Sequence, residues 1–231
     1  MFSSRAKRLT ENAPELDAIV IINGQEPFLD STFWYLTGQR SGTFEGGIAV
    51  ARDGNLDVIV SPLEAEGARE GMGEIHEYAD REDRNNILKD LLKGCVNVGF
   101  NINSAPYSGV EYVRKLADVK VADATKSIND TISVKDEKEV EAIRRACRIS
   151  SKVADEIPGM LRSGVTEKSV AAAMDNRMRE LGGEGNAFDT IAAFGENASK
   201  PHHSPTDRKL GKGDVALFDF GTKYVKNQGC F

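Results

Sequence analysis

The stretch GGIAVARDGNLDVIV, residues 46–60, fixes more of the fold than any other part of the sequence. Two apolar runs flank Asp53-Gly54, a dipeptide that accepts the positive φ of a two-residue turn, so the runs pair as an antiparallel hairpin. LDAIVII before it is a short apolar run of buried-strand type, and VNVGF and VKVAD after it are further strands. A helix through YSGVEYVRKLA separates those last two. LEAEGAREGM and EDRNNILKDLLKG also read as helices, the second with Ile87, Leu88, Leu91 and Leu92 on one face and Gly94 as its C-cap. A hairpin combined with strands linked through helices predicts an α/β N-terminal domain with a mixed sheet over residues 1–125.

The pattern changes in residues 126–231. From Asp136 the apolar spacing is helical, through Val140, Ile143, Cys147, Ser150, Ala154 and Ile157, with Asp136 and Glu139 at capping-box spacing and Pro158 closing the run. A second helix opens at Thr166, flanked by Val165 and Val170 at the positions of a hydrophobic staple, and ends at Gly182-Gly183. The strand FDTIAAF, the polar loop GENASKPHHSPTDRKLGKGD and the strand VALFDFGTKY follow. Helices succeeded by antiparallel strands predict an α+β domain. Its last strand runs towards the end of the sequence, so we expect an incomplete sheet, from C-terminal truncation or because a partner completes it.

The net charge of −6 disfavours a nucleic-acid partner, which selects a basic face. No apolar run approaches the roughly 18 residues of a membrane span. The start, MFSSRAKRLTENAPE, is too polar for a signal peptide, and Cys95, Cys147 and Cys230 form no metal-type or disulfide-type pattern. A reducing cytoplasm is the expected compartment.

Two features bear on chemistry. His202 and His203 lie between Pro201 and Pro205, which stiffen their loop. The pair reads either as a substrate-binding or general-acid histidine near a metal, or as a surface loop that contains His-His. Asp219 interrupts VALFDFGTKY on the face of Val215 and Leu217, where a carboxylate calls for a cation, either a metal or a buried Arg or Lys. The other reading is a turn that caps the strand. One aspartate does not define a metal site.

The order of the pieces narrows these alternatives. SVKDEKEVEAIRRACRISSKVADEI, then GVTEKSVAAAMDNRMRELGGEG, then FDTIAAFGENASKPHHSPTDRKLGKGDVALFDFG resembles the Xaa-Pro peptidase (prolidase and aminopeptidase P) and creatinase family, which has the pita-bread fold. FWYLTGQRSGTFEGGIAVARDGNLDVIVSPLEAE looks like that family's non-catalytic N-terminal domain. The resemblance implies an α/β domain followed by the first half of a pita-bread domain. It implies that His202 matches the active-site histidine, with His203 only its neighbour, and that Asp219 matches the first metal ligand. The family's ligands are two aspartates, a histidine and two glutamates, holding two divalent ions (Mn, Co or Zn) that share a water or hydroxide. The position of the second aspartate is held by Cys230. Either this softer ligand replaces it, or a longer hairpin, turning at Asn227-Gln228, places the aspartate beyond Phe231.

The resulting expectation is the N-terminal portion of a metal-dependent dipeptidase or aminopeptidase cleaving the bond before proline. This chain alone is expected to be inactive and not to hold the two ions stably. Its partners would be proline-containing peptides or dipeptides, with a homodimer in the full-length family. The alternatives are a non-catalytic peptidase-like module that binds proteins, and a creatinase-like amidino hydrolase.

Overall fold

A computed structural model describes residues 3–39 and 42–224. It divides into two compact units, one ending at Lys135 and one beginning at Asp136.

The first unit runs α1 (Ser3–Glu11), β1 (Ala18–Ile22), α2 (Ser31–Thr37), β2 (Ile48–Arg52), β3 (Asn55–Val60) and α3 (Pro62–Ala68). It continues with β4 (Glu74–Glu77), α4 (Arg81–Leu91), β5 (Asn97–Phe100), α5 (Tyr107–Ala117), β6 (Lys120–Asp123) and α6 (Thr125–Ser133). One six-stranded sheet has the order β4-β3-β2-β1-β5-β6. The expected hairpin is β2–β3, with Arg52 opposite Asn55 and both turn residues, Asp53 and Gly54, at positive φ. β1 pairs antiparallel with β2 and parallel with β5, which makes the sheet mixed. Because strand residues alternate between faces, β1 feeds two cores. Ile19 and Ile21 join Phe33, Leu36, Ala65 and Ile128 on one face, while Ala18, Val20 and Ile22 join Leu88, Val98 and Val113 on the other.

Three helices of this unit had no sequence assignment. The segment of α1 is mostly polar, and α2, STFWYLT, has the β-branched and aromatic composition of a strand. Its ends decide the matter: the Asp30 side chain accepts from Thr32 N at the start, and Gly38 takes φ +66° at the finish. α6 follows the expected boundary near residue 125 yet packs within the first unit. Ile128 enters the core of α1 and α2, and Asn12 donates to Thr131 Oγ1 at 2.8 Å. Trypsin is therefore expected to cut at exposed Lys135, and mass spectrometry of the surviving fragment should show α6 retained. A stable fragment ending before Thr125 would place α6 outside the unit.

The second unit runs α7 (Glu137–Met160), α8 (Glu167–Glu180), β7 (Gly185–Asn186), β8 (Ile191–Phe194), a 3₁₀ turn (Gly195–Ser199), β9 (Ala216–Asp219) and β10 (Thr222–Lys223). Both helices start with a capping box, Asp136 with Glu139 as expected, and Thr166 with Ser169. Two details of α7 differ. Pro158 lies inside its last turn, where a missing N–H forfeits a single bond, and the helix continues to Met160. Its buried stripe is Ala142, Ile149, Val153 and Ile157, about one residue round from the expected one; Ile143, Cys147 and Ala154 are exposed. The sequence offers two overlapping apolar stripes, and Val170, Met174 and Met178 of α8, with Phe194, select between them. Among the described residues no helix is long and apolar enough to cross a membrane.

Candidate functional site

The site is built on the connection between β8 and β9. The two strands pair antiparallel, with Phe194 opposite Ala216 and Ile191 opposite Asp219. At the base of the connection Gly195 N donates to Val215 O at 2.8 Å. Gly195 has φ +52°, which glycine adopts without strain, and the Arg208 guanidinium lies where a Cβ would stand, so a side chain here would displace it. Arg208 spans the loop, reaching Glu196 Oε1 at 3.1 Å and Asp214 Oδ2 at 3.3 Å, and Asp214 Oδ2 also accepts from Gly211 N at 2.9 Å.

The centre of the loop is organised by a residue that sequence reasoning passed over. Glu167, the first residue of α8, is 0% exposed. Its Oε1 accepts from Phe194 N at 2.8 Å and Asn197 Nδ2 at 2.9 Å. Its Oε2 accepts from His203 Nε2 at 2.9 Å, Thr206 N at 2.9 Å and Thr206 Oγ1 at 2.6 Å. These donors saturate a carboxylate, which has about four lone-pair positions. Burial pushes the Glu167 carboxyl up, but the donors from Thr206, His203, Asn197 and the Phe194 backbone outweigh it and hold it at about 2. The positive end of α8 favours the same anion. The backbone continues the attachment: Glu167 N donates to Arg208 O and Lys168 N to Thr206 O. No local signal marks this role, since the partners lie 27 to 39 positions away. An acidic residue after an N-cap otherwise reads as ordinary helix-start chemistry.

The two histidines are thereby separated. His203 is almost fully enclosed and bonded to Glu167. His202 is exposed, at φ +54°, in the turn that follows Pro201. Positive φ is uncommon outside glycine, and the bracing on either side of His202 holds it there. Loop and helix together turn one imidazole inward as a fastener and leave the other presented at the surface.

Asp219 is the last residue of β9 and is exposed. It keeps the expected face with Val215 and Leu217, but this face is open, with those residues 67% and 42% exposed. The buried face carries Ala216, Phe218 and Phe220, packed on the core of α7 and α8. Alternation puts the aromatic rings inside and the carboxylate outside. The Asp219 carboxylate has no hydrogen bond or ion pair among the described residues. It pairs at the ladder end opposite the loop base, three strand steps or about 10 Å from Ala216. Nothing in the described contacts joins it to His202.

The described residues supply only part of a two-metal centre. Among the described residues, the one group of three or more metal-ligating side chains excludes Asp219, which supplies a single carboxylate. Cys230, expected as a substitute for the second ligand, lies outside the described residues. His76 lies on β4 of the first unit, with its Nε2 2.8 Å from Asp57 Oδ1.

Comparison with known proteins gives the same partition. Residues 5–131 match the family model for the creatinase/prolidase N-terminal domain, and residues 141–230 match that for metallopeptidase family M24. A Xaa-Pro dipeptidase of Pyrococcus horikoshii is 26% identical over 230 residues, which are 97% of this chain and 61% of the relative. The X-Pro aminopeptidase of Thermotoga maritima superposes with a TM-score of 0.83 at 28% identity, over 96% of this chain and 61% of the other. A Xaa-Pro dipeptidase from Bacillus anthracis gives 0.85 at 21% identity, a likeness of fold alone. The chain thus spans about three-fifths of the length of these relatives. It shares their N-terminal α/β domain and the opening elements of their pita-bread domain. Since the first model alone covers more than half of the sequence and the second follows it in order, this chain belongs to the creatinase/prolidase branch of the M24 metallopeptidases.

Proposed function

We propose that this chain supplies the substrate-histidine and first metal-ligand positions of a Xaa-Pro-cleaving metallohydrolase, and that by itself it does not turn over. The observation that carries this reading is the presentation of His202. An exposed imidazole at positive φ, on a loop fastened by a saturated buried carboxylate, is arranged to meet a ligand with little rearrangement. In this reading His202 contacts the peptide substrate and donates to the oxygen that gains charge as the carbonyl is attacked. His203 and Glu167 act through His202, by fixing its loop. Asp219 is one ligand of a pair of divalent ions whose remaining ligands are not among the described residues. Such ions, when bound, supply a water of lowered pKa and polarise the carbonyl.

Two measurements test the proposal. The purified chain, with added manganese, cobalt or zinc, is expected to leave Xaa-Pro dipeptides intact. Metal-dependent turnover lost on Asp219→Ala would overturn the claim of inactivity. Joining residues 1–224 to the remaining C-terminal portion of the Pyrococcus horikoshii relative is expected to give metal-dependent Xaa-Pro hydrolysis. His202→Ala and Asp219→Ala should each lower that rate by about 100-fold or more. A folded, active chimera indifferent to either change removes that residue from the site.

A further inference from the structure

The first unit contains a set of metal-ligating side chains that the peptidase reading does not use. Asp57 on β3 stands opposite Glu74 on β4, and Ile59 stands opposite His76. Alternation therefore puts Asp57, Glu74 and His76 on one face of two parallel neighbours. One ligand atom from each lies within 4.8 Å of the others, and His76 Nε2 is 2.8 Å from Asp57 Oδ1. The Asp57 and His76 side chains are 18% and 23% exposed, so two of the three donors are held by packing.

Gly73 sets this register. At φ +102° it opens β4, and a Cβ there would meet Leu56 O at 2.9 Å, so only glycine lets β4 start this close to β3. The result is electrostatically costly, because two carboxylates face each other directly across a ladder. The Glu74 carboxylate has no hydrogen bond or ion pair among the described residues, and Arg69 on the same edge is paired with Glu77 at 2.8 Å. A cation between the three side chains would remove that repulsion.

We propose that Asp57, Glu74 and His76 form a divalent-metal site that clasps the edge strand β4 to β3. The donors suit it: one imidazole and two carboxylates, without thiolate, fit a borderline ion such as zinc. Tetrahedral bonds of about 2.0–2.2 Å place donors about 3.3 Å apart, so the present set needs only a modest inward swing of the exposed Glu74. The proton between His76 Nε2 and Asp57 Oδ1 is what the metal displaces. A surface cavity of about 350 Å³ borders the two carboxylates, Asp57 and Glu74, together with Met72 and Gly73, while His76 lies outside its lining. β4 is the sheet edge, paired on one side only, and a metal bridge to β3 ties it down where the ladder is short.

Zinc titration of the full 231-residue chain by calorimetry tests this. One zinc per chain is expected at about micromolar affinity, together with a rise in the melting temperature of the first unit. His76→Ala and Glu74→Gln should each weaken binding at least about 10-fold, whereas Asp189→Asn, at an exposed carboxylate of the other unit, should leave it within about twofold. Glu74→Gln changes an exposed side chain without described partners, so it separates loss of a ligand from loss of fold. Its metal-free circular dichroism should match the parent. The proposal is overturned by absence of zinc binding, by binding unchanged in both first-unit variants, or by binding lost in Asp189→Asn alone.

Discussion

Replacing Glu167 with alanine is expected to destabilise the second unit by about 3 kcal/mol at neutral pH. The magnitude follows from the carboxyl's displacement from 4.5 to about 2, at 1.36 kcal/mol per unit. Loss of a buried anion that satisfies several donors gives a similar figure. Its pH dependence has a definite sign. The folded pKa lies below the unfolded one, so between these values the unfolded chain binds more protons. The contribution is complete above about pH 4.5 and disappears as pH falls towards 2. Urea unfolding of parent and variant at pH 7 and at pH 3 should therefore show a gap that narrows on acidification. A gap that stays constant with pH would mean that the carboxylate charge does not fasten the loop. Equal stability at pH 7 would show that the loop holds without Glu167.

Phe194→Ala is expected to cost the same unit about 3–5 kcal/mol. The ring is fully enclosed between α7, α8 and β9, and it meets Phe218 edge-on with centroids 6.2 Å apart. Leu217, the neighbour of Phe218 on the other face of β9, is 42% exposed, and Leu217→Ala should change stability by only about 0.5 kcal/mol. The contrast is the informative quantity, because it reports which face of the β8–β9 pair is the core. Comparable losses for the two variants would place the open face of Asp219 inside the unit and return the carboxylate to a buried setting. Because Phe194 N also donates to Glu167, Phe194→Ala and Glu167→Ala should be less than additive if the ring change shifts that backbone.

The strands of the first unit's sheet were largely determined by local sequence. Asp53-Gly54 accepts the positive φ that a two-residue hairpin demands, and the alternating Ile and Val runs around it have one workable register. The capping residues Asp136 and Thr166 likewise act within one helical turn, so their roles are written beside the groups they satisfy. In the candidate site the sequence presented His202 and Asp219 through their surroundings, prolines in one case and an apolar strand in the other.

Tertiary structure decided whatever depends on groups distant along the chain. Which stripe of α7 is buried depended on the side chains of α8, because two apolar stripes a residue apart are equivalent until a partner arrives. That α2 is a helix despite its strand-like composition depended on Asp30 and Gly38 at its ends and the core beneath it. Glu167 became the fastener of the histidine loop only when a loop some 30 residues later folded over the start of its helix. Asp57, Glu74 and His76 became one cluster only through the pairing of β3 with β4. Periodicity and capping are properties of neighbours and can be read along the chain. A carboxylate's role is set by the donors brought to it, and folding supplies those.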